Sequence, residues 1–255
     1  MENILVKFAS LSLVIYISLT LFIYIKQRGF IYYPSKIEEF KELEKVYNID
    51  NLQIKTLLLN RDKDSAVLYF GGNAEAVEYN IPNFSKILKE FDIYFVKYRG
   101  YGGSQGNPVE KDLYSDALYI FDDLKKRYKN VSIIGRSLGS SVATYVASKR
   151  DIEKLVLVTP FDSLENIAKD IFPIFPISFM LKDKFNSIDR VDSIKCKTLI
   201  ITAINDKIVK KIYSLNLINK FKKQNIQSIT IAKADHNTIS LFDLYYKSID
   251  NFLLL

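Results

Sequence analysis

The stretch VSIIGRSLGSSVATYVASKR, residues 131–150, decides the fold of this protein. Residues 131–134 have the apolar pattern of a buried strand, and residues 140–150 have the amphipathic pattern of a helix. Between them, Gly135-Arg136-Ser137-Leu138-Gly139 matches the pattern Gly-x-Ser-x-Gly. A turn this short between strand and helix forces Ser137 into a strained backbone conformation and presents its hydroxyl at the end of the strand. The alternative is a glycine-rich structural turn or a phosphate-binding turn, although no Gly-x-Gly-x-x-Gly or Walker lysine is present.

Other apolar runs recur along the chain and indicate further strands. These runs are IKTLLL (54–59), AVLYF (66–70), IYFVKY (93–98), VSIIG (131–135), LVLVT (155–159), TLIITA (198–203) and ITIA (229–232). Unbroken apolar runs are typical of strands buried on both faces, and amphipathic stretches separate most of them. The first two runs are close enough to pair without a helix between them. The pattern predicts an α/β fold with a doubly wound, mostly parallel sheet, in which sites form at the carboxyl ends of strands.

The N-terminal segment predicts a membrane anchor. Residues 8–25, FASLSLVIYISLTLFIYI, carry no charge, and as a helix they would span roughly 27 Å, close to the hydrocarbon thickness of a bilayer. Lys26 and Arg28 close the segment. We expect an uncleaved single-pass anchor over residues 1–30, contacting the bilayer through 8–25, and a catalytic domain over 31–255. A cleaved signal peptide or a buried core helix is the alternative. Lys and Arg are nearly balanced across the span, with a slight excess favouring a cytoplasmic domain, so the side of the membrane stays open.

Composition excludes several classes of site. The sequence has one cysteine, Cys196, and one histidine, His236, which excludes an intramolecular disulfide, a cysteine-cluster metal site and a multi-histidine metal site. We therefore expect no metal and no organic cofactor. The net charge of +7 comes without a nucleic-acid recognition motif, so we expect no nucleic-acid partner. The oligomeric state is left open.

A reactive serine needs a base, and the sequence offers one obvious candidate. A serine hydroxyl is a weak nucleophile until a neighbour removes its proton. His236 follows the last predicted strand, and Asp206 comes three residues after the penultimate one. An acid is needed to orient the imidazole, and Asp162 is the main alternative to Asp206. Asp235, next to His236, is expected to face away. We predict that Ser137, Asp206 and His236 form a catalytic triad.

Two more glycine clusters follow predicted strands. Gly71-Gly72-Asn73 comes directly after the run at 66–70. A paired glycine lets the chain turn so that the next backbone N–H faces a substrate oxygen, which predicts an oxyanion hole from the amides of Asn73 and Leu138. An ordinary tight turn is the alternative. For the third cluster, between Tyr98 and Gly106, we expect a rigid loop that shapes the neighbourhood of the site.

The segment from about 160 to 191 predicts a small apolar cap. Its middle, Ile171 to Leu181, is apolar and contains Pro173 and Pro176, so it cannot form one long helix. An apolar cap beside a bilayer would suit acyl or lipid-like substrates. A short pair of buried helices is the alternative interpretation.

Taken together, these motifs resemble the α/β-hydrolase superfamily. The resemblance is closest to a membrane-anchored branch that includes ABHD-type single-pass serine hydrolases and bacterial relatives. The matching pieces, in family order, are FIYYPSK, YFGGNAE, YRGYGGSQGNP, GRSLGS, TPFDSLENIA, LIITAINDKIV and ADHN. The resemblance implies an α/β-hydrolase fold, a triad of Ser137, Asp206 and His236, and oxyanion amides on Asn73 and Leu138. Lys97 before Tyr98-Arg99, and Gly71 before Gly72-Asn73, depart from the family pattern and could alter substrate access.

The expected activity is that of a serine hydrolase. It would cleave a small-molecule acyl ester, thioester or lipid-like substrate through an acyl-enzyme. A peptidase of the same fold is the alternative among enzymes, and a catalytically silent adaptor at the membrane is the alternative from another class.

Overall fold

One mixed sheet organises the protein. The structure, a computed structural model, describes residues 2–36, 40 and 43–255. Residue 1 of the predicted anchor and residues 37–39, 41 and 42 of the predicted catalytic domain lie outside the described residues. The strands are β1 (Glu44–Ile49), β2 (Leu52–Leu59), β3 (Ser65–Phe70), β4 (Phe91–Val96), β5 (Asn130–Arg136), β6 (Lys154–Val158), β7 (Lys197–Ala203) and β8 (Ile226–Ile231). Their order in the sheet is β1-β2-β4-β3-β5-β6-β7-β8. β2 is antiparallel to both of its neighbours, and every other pair is parallel, which confirms the mostly parallel sheet.

Helices cover both faces of the sheet. The helices are α1 (Glu2–Ile31), α2 (Ile81–Ile87), α3 (Glu110–Lys125), α4 (Leu138–Lys149), α5 (Leu164–Ile171), α6 (Ile177–Met180), α7 (Lys211–Lys220) and α8 (Asp243–Leu254). Apolar side chains of α3, α4 and α7 form the core on one face, and those of α2 and α8 form the core on the other. The sheet is therefore doubly wound, as the alternating pattern predicts.

The predicted pairing of the first two apolar runs is wrong. β2 pairs with β4, and β3 lies between β4 and β5. β2 instead forms a hairpin with β1, a strand that the apolar pattern did not indicate. Asp50 and Asn51 make the turn with φ of 51° and 62°, and a two-residue turn with both φ positive matches the twist of the strands it joins. Asp and Asn tolerate this conformation better than other non-glycine residues.

The last strand departs from the expectation of burial on both faces. β8 is at the edge of the sheet, and Gln227, Ser228 and Thr230 on it are exposed. The central strands follow the expectation, since every residue from Ala66 to Phe70 on β3 is buried. A strand at an edge has a neighbour on one side alone, so its burial cannot be inferred from its apolar content.

The N-terminal helix is one candidate membrane span. In the part of the chain that the structure describes, Ile4–Ile31 is the helical stretch long and apolar enough to cross a bilayer, with a mean hydropathy of 2.2. Its most apolar stretch is not buried inside the protein. This confirms an apolar N-terminal helix before the α/β unit, while the division at residue 30 stays a prediction.

The predicted cap region contains two short helices. α5 and α6 are separated by residues 172–176, which include Pro173 and Pro176. Proline removes a backbone donor and restricts the residue before it, so no single long helix forms. α5 has no buried residue, so the alternative of two buried helices does not describe this segment.

Candidate active site

Three side chains from three loops meet at the carboxyl edge of the sheet. Nδ1 of His236 lies 2.7 Å from Oδ2 of Asp206, and Nε2 of His236 lies 2.9 Å from Oγ of Ser137. Ser137 stands between β5 and α4, Asp206 follows β7 and His236 follows β8. The side chains of Asp206 and His236 are more than nine-tenths buried. When Nδ1 carries the proton and donates it in a hydrogen bond to Asp206, Nε2 is unprotonated. Nε2 can then accept the proton of the Ser137 hydroxyl.

The loop after β7 fixes the carboxylate of Asp206. Its other oxygen, Oδ1, accepts hydrogen bonds from the backbone N–H groups of Ile208 (3.0 Å) and Val209 (2.7 Å). One oxygen therefore holds the loop and the other faces the imidazole. This division of roles orients the carboxylate toward the imidazole.

The two alternative acids have other partners. Asp162 is fully buried, and its carboxylate accepts hydrogen bonds from the Ser163 backbone and from the side-chain amides of Asn166 and Asn216. Asp235 is exposed and accepts from the backbone N–H groups of the two residues that follow His236. Among the described residues, neither carboxylate is hydrogen-bonded to the imidazole. Asp162 organises the start of the cap region, and Asp235 shapes the histidine loop.

The backbone at Ser137 is strained, as the strand-turn-helix pattern predicts. Ser137 has φ 50° and ψ −117°, and its N–H donates to the carbonyl of Val158 on β6 at 2.9 Å. A Cβ added to Gly135 would lie 2.6 Å from the Cβ of Ala143, and one added to Gly139 would overlap backbone carbonyls at the end of β3. Both glycines are thus required, because β5 and α4 approach too closely for a side chain at Gly135, and α4 and the end of β3 approach too closely for one at Gly139.

The two predicted oxyanion residues lie beside Ser137. Leu138 is the first residue of α4, where backbone N–H groups have no partner within the helix and the helix dipole favours negative charge. Across the site, a Cβ on Gly72 would be 3.4 Å from the Cβ of Ser137, so the Gly71-Gly72-Asn73 turn crosses close to the serine. Within the described residues, the backbone N–H of Asn73 donates no hydrogen bond.

Glu75 is a site residue that the sequence analysis missed. One of its oxygens accepts a 2.5 Å hydrogen bond from the Gly72 N–H, which fixes the Gly71-Gly72-Asn73 turn, called the oxyanion turn below after its predicted role. The other oxygen accepts from the Tyr69 hydroxyl and from the Asn80 side-chain amide, both at 2.7 Å. The same carboxylate lies 3.7 Å from the guanidinium of Arg136. A carboxylate with four partners from three segments holds the turn in one conformation.

Arg136, which lies between Gly135 and Ser137, connects this carboxylate to the histidine loop. Its Nη2 donates to the backbone carbonyls of His236 (3.3 Å) and Asn237 (3.5 Å). Burial is the largest single effect on the pKa of Arg136 and acts to lower it, but the charge of Glu75 together with Tyr69 and Tyr245 outweighs burial, so the pKa lies above its ordinary value. The link between Arg136 and Glu75 joins residues 61 positions apart, so no local pattern could have indicated it.

The two departures from the family pattern have structural partners. Lys97 Nζ lies 2.6 Å from Oε1 of Glu78, and both side chains are buried. A Cβ on Gly71 would lie 2.7 Å from Val77, so a larger residue would displace the turn that carries Glu78. Tyr98 donates to the Gly71 carbonyl at 2.8 Å. These contacts stabilise the conformation of the oxyanion turn.

The third glycine cluster surrounds a buried arginine. Arg99 donates two hydrogen bonds to Asp116, at 2.8 and 2.7 Å, and one to Asp50 at 2.7 Å. Gly100, Gly102, Gly103 and Gly106 all have positive φ. The loop folds tightly around this ion pair, which agrees with the shaping role expected for it.

A cavity of about 500 Å³ opens in front of Ser137. Tyr79 and Leu241, which are both exposed, are among the residues that line it. Besides the polar residues already described, the side chains of Asn80, Asn83, Asn237, Ser240 and Tyr246 line it. In the part of the chain that the structure describes, no group of three or more His, Cys, Asp or Glu side chains is placed to hold a metal ion.

Comparisons with known proteins show what this chain is similar to. No protein-family model matches the chain. The alpha/beta hydrolase domain-containing protein aho-3 of Caenorhabditis elegans is 28% identical over 166 residues, which is 64% of this chain and 48% of the worm protein. An uncharacterized membrane protein of Saccharomyces cerevisiae is 28% identical over 206 residues, covering 76% of this chain and 72% of the yeast protein. The alignment thus spans about half the length of the worm relative.

Among solved structures, an esterase of Pyrococcus furiosus superposes with a TM-score of 0.68. The match covers 86% of this chain and 95% of the esterase, at 21% sequence identity. At this identity the likeness establishes the fold.

Proposed function

We propose that this chain, which belongs to the α/β-hydrolase superfamily and is similar to its ABHD-like branch, is a membrane-anchored serine hydrolase of acyl esters or thioesters. One observation carries the proposal. The carboxylate of Asp206, the imidazole of His236 and the hydroxyl of Ser137 form a continuous hydrogen-bonded series, with distances of 2.7 and 2.9 Å, at the carboxyl edge of the sheet. This arrangement prepares a hydroxyl for attack on a carbonyl carbon.

The proposed mechanism has two halves. Oγ of Ser137 attacks the carbonyl carbon while Nε2 of His236 takes the hydroxyl proton, and Asp206 stabilises the imidazolium. The backbone N–H groups of Asn73 and Leu138 bind the oxyanion of the tetrahedral intermediate. Collapse of the intermediate breaks the bond to the leaving group, which takes the proton from His236 and departs. Water, deprotonated by His236, then attacks the acyl-enzyme and releases the acid and free Ser137.

Three observations favour ester or thioester substrates with a membrane origin. The end of α1 contacts the oxyanion turn directly, since Asn73 hydrogen-bonds to Ile31 and Tyr33. The cavity beside Ser137 has amide and phenol groups that suit a polar leaving group. The Pyrococcus furiosus protein of the same fold is an esterase by name, which supports ester over amide chemistry.

The test is a substrate survey on the full chain in detergent micelles. Acyl esters of graded chain length, acyl thioesters and aminoacyl amides are compared, with Ser137→Ala as the background. We expect hydrolysis of esters or thioesters, and a loss of at least about a thousandfold in turnover for His236→Ala. Faster cleavage of the amides would indicate a peptidase. If the well-folded protein hydrolyses none of these substrates and is not labelled covalently by a fluorophosphonate, it is an adaptor and the proposal is contradicted.

A further inference from the structure

An exposed apolar loop stands beside the anchor helix. Residues 171–181, IFPIFPISFML, contain no charged residue and are bracketed by Lys169-Asp170 and Lys182-Asp183-Lys184. Within this apolar loop, Phe179 is 91% exposed and Ile174 is 71% exposed. Contiguous exposed apolar side chains rimmed by charges mark an interaction surface rather than a solvated one. Its partner can be inferred from what the loop contacts.

The apolar loop is bound to α1. The hydroxyl of Tyr16 donates a 2.9 Å hydrogen bond to the carbonyl of Ile174, and the ring of Tyr16 stacks on Phe175 with centroids 5.6 Å apart. Nearer the end of α1, the side-chain amide of Gln27 donates to the carbonyl of Met180 at 3.0 Å. The loop therefore runs along α1 from residue 16 to residue 27.

These contacts fix the depth of the loop relative to the anchor. Tyr16 precedes Lys26, the first charged residue after the uncharged stretch, by ten residues. At a rise of about 1.5 Å per residue, the contact between Tyr16 and Ile174 lies roughly 15 Å along the helix from Lys26, about half the thickness of the hydrocarbon core. If α1 spans the bilayer, the tip of the apolar loop reaches well into one leaflet.

Several backbone polar groups of the loop are hydrogen-bonded within the protein, which suits this depth. Backbone groups exposed to lipid are costly unless they are hydrogen-bonded within the protein. The carbonyl of Ile174 is satisfied by Tyr16, and the N–H groups of Phe175, Phe179 and Met180 donate to backbone carbonyls within the loop. The hydroxyl of Tyr16, which would itself be costly at mid-span, gains a partner by the same contact.

Charged residues mark a shared boundary where both segments leave the apolar region. Arg28 at the end of α1 forms an ion pair with Asp183 just after the loop, with Nε and Oδ2 2.9 Å apart. Lys182 lies over the ring of Tyr24, 4.1 Å from its centroid. Basic and aromatic side chains at one level are typical of the interface between headgroups and acyl chains.

We propose that the apolar loop, residues 171–181, inserts into the same leaflet as the C-terminal half of α1 and is a second membrane-embedded element of this protein. Its exposed side chains contact the acyl chains of lipids. The inference rests on the proposed membrane anchoring by α1 and is independent of the proposed hydrolase activity. Attachment at two points, α1 and the loop, holds the oxyanion turn at the membrane surface. A single flexible tether would leave the position of the turn relative to the membrane free to change.

The sequence contains no tryptophan, so single tryptophans report on single positions. Phe179→Trp places the reporter on the apolar loop. Leu13→Trp on α1 is the positive control, and Tyr119→Trp, half-exposed on α3, is the control outside the membrane. Each full-length variant is reconstituted into vesicles of phosphatidylcholine with a minor fraction of phosphatidylglycerol. The phosphatidylcholine is either unlabelled or brominated at positions 6,7 or 11,12 of one acyl chain.

We expect the brominated lipids to quench roughly half of the emission from Trp at 179 and at 13, and to leave that from Trp at 119 nearly unchanged. Quenching at 13 without quenching at 179 would overturn the inference while leaving the anchor intact. No quenching at either position would overturn both the anchor and the inference. A blue shift at 179 that depends on protein concentration and not on bromine would mean that the loop faces a second copy of the chain, which also overturns it.

A functional arm separates this inference from the proposed activity. Phe179→Asp changes a side chain that is exposed and outside the triad and the cavity. We expect its turnover of a soluble short-chain ester to stay within about twofold of the wild type, and its turnover of an acyl ester presented in the same vesicles to fall roughly tenfold. Equal turnover of the vesicle-borne ester by the wild type and Phe179→Asp would count against the inference. If the wild type hydrolyses neither the soluble nor the vesicle-borne ester, the result counts against the hydrolase proposal.

Discussion

The side-chain amide of Asn73 donates a 2.6 Å hydrogen bond to the backbone carbonyl of Ile31, the last residue of α1. The same side chain accepts from the Tyr33 N–H at 3.0 Å and from the Tyr101 hydroxyl at 2.7 Å. Asn73 is also the residue whose backbone N–H we propose for the oxyanion hole. The end of the candidate membrane helix and the oxyanion turn are therefore one hydrogen-bonded unit, which brings the reaction centre to the point where α1 meets the α/β unit.

Asp206→Asn tests the assignment of the acid. The amide keeps the shape of the side chain but cannot stabilise an imidazolium or hold the required tautomer, so we expect turnover to fall by about 10³–10⁴. Because the change is isosteric, the midpoint of thermal unfolding should stay close to that of the wild type. Ester hydrolysis and circular dichroism on the same preparation measure the two effects.

Asp162→Asn is the matched variant for the alternative acid. Its buried carboxylate accepts from Asn166 and Asn216, so the change leaves at least one buried donor without an acceptor. We expect a loss of about 1–3 kcal/mol in the free energy of unfolding. Turnover of the folded protein should remain near that of the wild type. The opposite result, a stable protein without activity, would point to Asp162 as the acid.

Glu75→Gln tests whether Glu75 positions the oxyanion turn. A glutamine side chain has one oxygen, which can accept either from the Gly72 N–H or from Tyr69 and Asn80. Its NH2 group would then face a hydrogen-bond donor on the other side. If the turn is displaced, kcat should fall by about 10- to 100-fold while KM changes little, because the oxyanion exists in the transition state and not in the substrate. Glu90→Gln at an exposed position is the control and should change neither constant. A higher KM at constant kcat would assign Glu75 to substrate binding instead.

Gly139→Ala tests the close packing of the elbow. The added Cβ would overlap the backbone carbonyls of Phe70 and Gly71, which cannot move without opening the sheet. We expect a loss of about 3 kcal/mol or more in the free energy of unfolding, measured by denaturant titration. Gly29→Ala is the control, since a Cβ there meets nothing within 4 Å, and it should leave stability within about 1 kcal/mol. Equal effects of the two substitutions would contradict the packing described for the elbow.

Cys196 should be inert to alkylation at neutral pH. Burial raises the pKa of its thiol to about 11, from an ordinary value of 9.0. A raised pKa leaves less thiolate at a given pH, here roughly a hundredfold less near pH 7.5. Cys196 directly precedes β7, at the end of that strand opposite Asp206. Iodoacetamide at pH 7.5 should neither modify Cys196 rapidly nor inhibit hydrolysis, whereas modification in urea should be fast. Rapid alkylation of the folded protein with loss of activity would contradict this.

The sequence was most informative where local pattern and chemistry coincide. The turn around Ser137 is encoded within 20 residues, because the strand period, two glycines and the helix period follow one another directly. His236 could be placed because it has no competitor and follows the last strand. Asp206 had to be chosen among several carboxylates. Its 2.7 Å contact with the imidazole depends on tertiary packing, which the spacing of residues along the chain does not determine.

What sequence reasoning missed depends on contacts between distant segments. β1 was missed because its alternating pattern includes polar residues, and its turn uses Asp50 and Asn51 in place of glycine. Glu75 was missed because a polar residue in a loop has no period, and its importance comes from partners on β3 and β5. The contact between Tyr16 and Ile174 joins residues 158 positions apart. Such contacts are set by how the elements pack, which the local pattern does not specify.

The most direct test of the central proposal is the site of covalent labelling by a fluorophosphonate. Attack by an activated serine Oγ on phosphorus expels fluoride and leaves a stable adduct, which peptide mass spectrometry locates. With the full chain in detergent micelles, we predict one adduct on Ser137, none in Ser137→Ala, and labelling slowed by at least about a thousandfold in His236→Ala. An adduct on another residue, or labelling of Ser137 at an undiminished rate without the His236 imidazole, would contradict the account.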